Sequence, residues 1–186
     1  MMYCIYKILY ILSGRRMSIL IKYFRKKGIL IGNNCNIYSN IVTPESYLVK
    51  IGDNVTIAGG VRFVTHDNSI SKILPQYSIM VGPINVENNV FIGAGSTILP
   101  GVTIGENCII AAGSVVTKSC KENSIIGGNP AKQIRVIDGD YIKKISTYGL
   151  STDMFDFQEK KNNILNNRTR WINRYDKSNV SIWYPS

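Results

Sequence analysis

The feature that most constrains this chain is a repeat of aliphatic side chains at every sixth position. The longest uninterrupted run places them at Val86, Ile92, Ile98, Ile104, Ile110 and Val116. An α-helix repeats its buried face about every 3.6 residues and a flat strand every two, so neither explains this period. The spacing predicts a parallel β-helix with triangular coils, each of about three hexapeptides that supply one short strand and one corner apiece. We therefore expect an all-β core with aliphatic side chains stacked inward.

The same period appears earlier in the chain. Ile51, Ile57 and Phe63 follow it, and Ile31 with Ile37 begins a still earlier frame. Residues that tolerate a left-handed backbone stand between the aliphatic positions, at Asp53–Asn54, Glu87–Asn89 and Glu106–Asn107. These are the predicted corners of the coils.

Two segments break the phase of the repeat. They are Thr43–Lys50 and Asn68–Pro83, and the second follows His66, the single histidine of the chain. Long loops inside compact repeats are usually functional or disordered. We expect the loop extruded after His66 to shape a site.

Composition excludes several other classes. A hydrophobic content of 45% argues against a disordered chain, and one histidine cannot build a metal site from several imidazoles of one chain. The four cysteines show no CxxC spacing, so we expect reduced thiols and a cytoplasmic protein. Cys35 and Cys108 each fall four residues after an aliphatic position, which predicts buried thiols.

The formal charge of +10 is unevenly distributed. Residues 1–30 carry seven Lys or Arg and no acid, residues 31–127 carry a net −1, and residues 128–186 carry a net +4. The apolar residues of segment 1–28 recur at helical spacing on both sides of Ser13–Gly14, which predicts two short amphipathic helices. Either they form a cap packed on the core, or they attach to an anionic membrane surface at the inner face of the membrane.

The C-terminal extension, residues 138–186, is predicted to be helical. Aromatic residues stand among its Lys and Arg residues at Tyr148, Phe155, Phe157, Trp171, Tyr175 and Trp183. Aromatic residues at such spacing more often pack in a core than bind RNA, and no nucleic-acid-binding motif accompanies them. No nucleic-acid partner is expected.

Three motifs carry a family resemblance. They read VFIGAGSTILPGVTIG at Val90–Gly105, AAGSVVTK at Ala111–Lys118 and GGNPAK at Gly127–Lys132. Across residues 29–137 the chain resembles the hexapeptide-repeat acetyltransferases with a left-handed β-helix. Within that family it is similar to the galactoside, maltose and nodulation-factor O-acetyltransferases that modify sugars and polysaccharides. Phe91 departs from the pattern, because many relatives have Trp there.

The resemblance implies a homotrimer that binds acetyl-CoA between two subunits, with no metal required. It implies His66 as the catalytic residue. The CoA-lining positions of the family fall on Ala94, Ala112, Thr117, Lys118, Lys132 and Arg135. Weaker candidates for contact with the acceptor are Asn40, Asp67 and Tyr77.

The chemistry of such a site also follows from the residues. A sugar hydroxyl attacks a thioester only as it loses its proton, and an imidazole with an ordinary pKa near 6.5 can accept that proton. His66 is the one such group in the chain. Backbone N–H groups at Gly93–Gly95 are candidates for stabilising the oxyanion, and cationic side chains suit the phosphates of CoA. Adjacent side chains on a strand point to opposite faces, so we expect no direct pair between Asp67 and His66.

The leading hypothesis is therefore an acetyl-CoA-dependent O-acetyltransferase acting on a hydroxyl of a sugar or cell-surface glycan precursor. Two alternatives stay open: an N-acetyltransferase acting on an amino sugar or an antibiotic, and a non-enzymatic β-helix scaffold. A carbonic anhydrase on the same fold would need three metal-binding histidines, which this chain lacks.

Overall fold

The computed structural model describes residues 2–150 and 156–170. The chain divides into two compact units, Met1–Arg135 and Val136–Ser186. Four of the aromatic residues noted in the tail, Phe155, Trp171, Tyr175 and Trp183, lie outside the described residues.

Short strands make up most of the first unit. They are β1 (Leu30–Ile31), β2 (Asn36–Ile37), β3 (Val49–Ile51), β4 (Thr56–Ile57), β5 (Arg62–Phe63), β6 (His66–Asp67), β7 (Met80–Val81), β8 (Ile84–Val86), β9 (Phe91–Ile92), β10 (Thr97–Ile98), β11 (Thr103–Ile104), β12 (Ile109–Ile110), β13 (Val115–Val116), β14 (Ser124–Gly128) and β15 (Ala131–Val136).

Three sheets arrange these strands as the faces of a β-helix. Their orders are β1-β3-β8-β11, β13-β10-β5 and β15-β14-β12-β9-β4-β2. From β8 to β14 each strand lies on a different sheet from the one before it, and strands of successive coils pair in parallel, as in β3 with β8 and β8 with β11. Paired residues are 18 positions apart between Val86 and Ile104, which is three hexapeptides. The β-helix predicted from the six-residue period is confirmed.

The stacked aliphatic side chains form the core. All six residues of the uninterrupted run are at most 2% exposed. Burying an aliphatic side chain of this size contributes roughly 1.5–3 kcal/mol. Cys35 and Cys108 are also buried, as predicted.

The predicted asparagine corners have the expected backbone. Asn54, Asn89 and Asn107 have φ of 55° to 57°, and Asn34 and Asn123, which were not among the predicted corners, have the same backbone with φ of 54°. Their side chains form a ladder, in which the amide of Asn54 donates to Asn89, that of Asn89 to Asn107 and that of Asn107 to Asn123, over 2.7, 2.7 and 3.0 Å. Asparagine tolerates this conformation because its short side chain can hydrogen-bond locally.

Two helices precede the strands. The first, α1, spans Met2–Leu12, and the second, α2, spans Met17–Lys26. Helix α2 contacts β1 and β2 and buries Leu20, Tyr23 and Phe24. Among the described residues, no helix is long and apolar enough to cross a membrane.

The second unit contains two further helices. They are α3 (Gly139–Ser146) and α4 (Phe157–Asn166). The Asp138 carboxylate caps α3 by accepting from the Tyr141 N–H at 2.8 Å, and Asp156 caps α4 in the same way through the N–H groups of Gln158 and Glu159. Capping of this kind satisfies N–H groups that have no partner inside the helix.

Candidate active site

The first segment that breaks the repeat contacts the residues that lead into the second segment. The first contains a 3₁₀ turn at Ser46–Leu48 and places Glu45 just before it. The buried Ser46 hydroxyl accepts from the Thr43 N–H at 3.0 Å and donates to the Thr43 carbonyl at 2.7 Å, which holds this turn closed. The second segment begins after His66, in the following coil. Glu45 is thereby brought to His66.

Glu45, Thr65 and His66 form a hydrogen-bonded cluster. Glu45 Oε2 lies 2.8 Å from His66 Nδ1 and accepts from the Thr65 hydroxyl at 2.7 Å. The Thr65 hydroxyl, followed by the His66 ring, lowers the pKa of Glu45 below its ordinary value. An ionised carboxylate only accepts hydrogen bonds, so Nδ1 carries the proton in this contact and Nε2 keeps its lone pair. The arrangement can accept a proton at Nε2.

Exposure differs across this cluster in a way that suits proton transfer. The His66 side chain is 30% exposed, the Glu45 side chain 15% and Thr65 only 1%. The carboxylate is therefore shielded, while the imidazole is open to an incoming molecule. Shielding from solvent strengthens the charge-assisted contact between this carboxylate and the imidazole relative to one in water.

The loop after His66 is anchored as a hairpin at its base. Strands β6 and β7 pair antiparallel, with His66 opposite Val81, and the Gly82 N–H donates to the Thr65 carbonyl at 3.0 Å. Between these two strands, Ser69–Lys72 form a 3₁₀ turn. Apolar side chains of the loop are exposed at Ile73, Leu74, Tyr77, Ile79, Met80 and Val81.

Ala94 and Ala112, two of the predicted CoA-lining positions, lie on successive coils of one corner. The Gly113 N–H donates to the Ala94 carbonyl at 2.8 Å. Gly95 and Gly113 have φ of 73° and 72°, and a Cβ added to either would meet no atom within 4 Å. The outer surface of this corner is therefore backbone with very small side chains. A narrow chain such as the pantetheine arm of CoA can lie against it without obstruction.

The other predicted CoA positions are distributed over two sheets. Thr117 and Lys118 are exposed and follow β13 in the sheet whose strand β5 leads to His66. Lys132 is exposed and Arg135 half-buried, and both lie on β15 of the six-stranded sheet. The structure therefore brings the two alanines together, whereas Thr117 and Lys118 follow β13 and His66 comes after β5, the two outer strands of one three-stranded sheet.

The three weaker acceptor candidates behave differently from one another. The Asp67 carboxylate accepts from the Ser69 N–H at 2.8 Å, which lowers its pKa and makes it the start of a turn. Asn40 accepts from the Val42 N–H at 3.4 Å. Tyr77 is 54% exposed in the extruded loop. Two of the three thus have local turn contacts.

Sequence reasoning missed Glu45 and Thr65. The signal that points to Glu45 is the first break in the repeat, because Thr43–Lys50 contains a single acid in a segment that the inward stack does not require. His66 is paired with Glu45, whereas Asp67 caps its own turn.

Comparison with known proteins places the chain in a family. The family model described as bacterial transferase hexapeptide (six repeats) matches residues 83–118. Protein CapG of Staphylococcus aureus is 44% identical over 147 residues, covering 76% of this chain and 85% of that protein. The galactoside O-acetyltransferase of Escherichia coli is 40% identical over 112 residues, covering 60% of this chain and 55% of that enzyme. The chain thus spans about half the length of the latter relative.

Solved structures give the same assignment. A hexapeptide-repeat acetyltransferase of Vibrio cholerae, complexed with acetyl-CoA, matches with a TM-score of 0.55 and 33% identity, covering 60% of this chain and 62% of that one. A maltose O-acetyltransferase of Clostridium difficile matches with a TM-score of 0.52 and 32% identity, covering 67% and 76%. The chain belongs to the hexapeptide-repeat acetyltransferases, enzymes with a left-handed β-helix and acetyl-CoA as co-substrate. Within that class it is similar to the galactoside and maltose O-acetyltransferases.

Proposed function

We propose that this protein transfers an acetyl group from acetyl-CoA to a hydroxyl of a sugar or cell-surface glycan precursor, with His66 as general base. The observation that carries the proposal is the 2.8 Å contact between His66 Nδ1 and Glu45 Oε2. It fixes the tautomer in which Nε2 can take a proton.

The reaction has two proton steps at His66. Nε2 removes the proton from the acceptor hydroxyl as its oxygen attacks the thioester carbonyl carbon. The ionised Glu45 stabilises the imidazolium that forms. The tetrahedral intermediate then collapses with cleavage of the C–S bond, and the imidazolium returns the proton to the CoA sulfur. Backbone N–H groups at the Gly93–Gly95 corner are the proposed donors to the oxyanion.

The donor site follows the surface of the β-helix. The pantetheine arm lies along the corner of Ala94 and Ala112, where small residues leave the backbone accessible. Thr117 and Lys118 contact it further along, and Lys132 with Arg135 pair with the phosphates. Cations suit these groups because hydrogen bonds between charged partners are shorter and stronger than neutral ones.

The active unit is proposed to be a homotrimer with sites between subunits. The exposed apolar side chains of the loop at 73–81 support it, because an apolar surface beside a reactive histidine gains from being covered and from excluding water. In this scheme residues 29–137 form the catalytic domain, and residues 1–28 and 138–186 are appendages. Four free thiols agree with a cytoplasmic setting.

An acceptor panel tests the proposal directly. The full chain is incubated with isotope-labelled acetyl-CoA and a set of sugars, nucleotide sugars and glycans, and products are read by mass spectrometry. We expect a labelled product that loses its acetyl group in mild hydroxylamine, as an ester does. A hydroxylamine-stable product would indicate N-acetylation of an amino sugar or antibiotic instead. Absence of transfer together with absence of thermal stabilisation by acetyl-CoA would favour a scaffold.

A further inference from the structure

The outward face of α1 is apolar and uncovered. Six of the eleven residues of this helix are large apolar residues with at least 47% exposure: Met2, Ile5, Ile8, Leu9, Ile11 and Leu12. The inward face carries Tyr3, Tyr6 and Tyr10, which pack toward α2, and the ring centroids of Tyr6 and Tyr23 are 4.9 Å apart. The one charged side chain of α1, Lys7, lies over the Tyr10 ring at 5.2 Å. The outward face thus contains no charge.

The sequence left open whether these helices form a cap on the core or attach to a membrane, and the structure shows that the two helices differ. Helix α2 is the cap, because Leu20 and Phe24 are fully buried and the Arg25 guanidinium donates to the carbonyls of Ile31 and Gly32 at 2.8 and 2.9 Å. Helix α1 lies on α2 through its tyrosines and leaves its aliphatic side chains in solvent. A contiguous exposed apolar patch on a folded protein marks a surface that binds something.

Cations border this face at its C-terminal end. Arg15 and Arg16 follow Leu12 after a tight turn, and both are exposed. Lys22 lines a groove of about 510 Å³ between the two helices, together with Leu9 and Leu12. The first 30 residues hold seven Lys or Arg and no acid. An apolar helix face with cations along its edge fits a lipid surface that carries negative charge.

We propose that the outward face of α1 binds in the plane of an anionic lipid bilayer. An eleven-residue helix is about 16 Å long, whereas the hydrocarbon core of a bilayer is about 30 Å thick, so α1 lies along the surface. A second copy of the same segment is a poor partner, because it would bring Arg15, Arg16 and Lys22 of both copies close together with no acid in residues 1–30 to offset them. This surface is separate from the Glu45–His66 cluster, and its role does not depend on the proposed acetyl transfer.

Vesicle flotation with the full 186-residue chain tests the proposal. The vesicles are phosphatidylcholine alone or phosphatidylcholine with about 30% phosphatidylglycerol, which supplies the negative surface. We expect the chain to float with the anionic vesicles. The double variant Ile8→Glu/Leu12→Glu should lose at least about tenfold in partitioning, because both side chains must enter the apolar layer. Ile142→Glu is the matched control, since Ile142 is 54% exposed and Ile8 56%, and it should float as the wild type does.

A charge variant tests the contribution of the cations that border α1. Arg15→Gln/Arg16→Gln/Lys22→Gln should weaken binding to anionic vesicles by about fivefold per charge removed, and added salt should weaken the wild type. Circular dichroism and acetyl transfer of all variants should match the wild type. Flotation that is equal for the wild type and Ile8→Glu/Leu12→Glu would overturn the proposal, as would equal binding to neutral and anionic vesicles. A drop in oligomer size of Ile8→Glu/Leu12→Glu in sedimentation velocity, with no flotation of the wild type, would instead identify the face as a contact between copies.

Discussion

The regular coils at 84–120 and the interrupted coils at 29–83 share one inward stack but differ at their corners. Paired residues are 18 positions apart between β8 and β11, whereas they are 20 apart between β1 and β3 and 35 apart between β3 and β8. The inward residues Ile51 and Val86 still pair across the largest gap. The extra residues are therefore inserted at a corner without disturbing the core. The cluster of Glu45, Thr65 and His66 lies beside these insertions. The scaffold and the chemistry are separable on this chain.

The largest effect we expect is loss of turnover on changing His66 to Ala. The imidazole contributes proton transfer, which typically accelerates a reaction by about 10²–10⁴-fold, so kcat should fall by that factor. The affinity for CoA should stay at the wild-type value and the thermal unfolding temperature should fall only slightly, because the side chain belongs to no core and loses only its contact with Glu45. Steady-state kinetics measure kcat, a CoA titration measures the affinity, and thermal denaturation measures the unfolding temperature. Turnover within twofold of the wild type would show that His66 is not the general base.

A core substitution in a regular coil should give the opposite pattern. Ile110→Ala removes a fully buried side chain, and we expect a loss of about 2–5 kcal/mol in the free energy of unfolding. Its neighbour Ile109 is only partly buried on the same strand, so Ile109→Ala is the matched control with a clearly smaller loss. Chemical denaturation gives both values. Equal losses would contradict the inward assignment of Ile110.

Glu45→Gln tests the hydrogen-bonded cluster of the interrupted coils. The amide keeps the shape of the carboxylate but loses the charge that stabilises the imidazolium. Charge-assisted hydrogen bonds are stronger than neutral ones, so we expect kcat to fall by about 10–100-fold with little change in the KM for acetyl-CoA. Glu122→Gln, at an exposed corner, is the control and should leave kcat unchanged. An equal loss in both variants would show that Glu45 acts on overall charge and not on His66.

The smallest effect concerns stability at low pH. The Thr65 and His66 contacts lower the pKa of Glu45, so the folded state binds this proton less tightly than the unfolded state does. The stabilisation is therefore fully present above the ordinary carboxyl pKa and is lost as the pH falls through the lowered value. The difference in unfolding free energy between the wild type and Glu45→Gln should shrink as the pH falls from 6 to 3. A difference that is constant with pH would show that the carboxylate has no favourable contacts.

The sequence predicts the regular coils better than the interrupted ones. Inward positions and corners were predictable, because each depends on a period that is local in the chain; Ile104 and Asn107 are examples. The Glu45–His66 contact was not, since it joins residues that are 21 positions apart in successive coils and depends on how two irregular segments fold. The amphipathic pattern of segment 1–28 likewise predicted two helices but could not assign Leu20 to the interior and Leu12 to solvent.

The asparagine ladder has a direction. Each side-chain amide donates toward the C-terminal coil, from Asn54 through Asn89 and Asn107 to Asn123, and it crosses the 35-residue coil with the same donor and acceptor atoms as the shorter ones. Each inner rung, Asn89 and Asn107, therefore accepts at its Oδ1 from the previous coil and donates its own N–H to the next coil. A duplicated 18-residue coil with asparagine at this corner would fit between any two rungs, so the height of the β-helix can change in whole coils while the two ends of the ladder stay as they are.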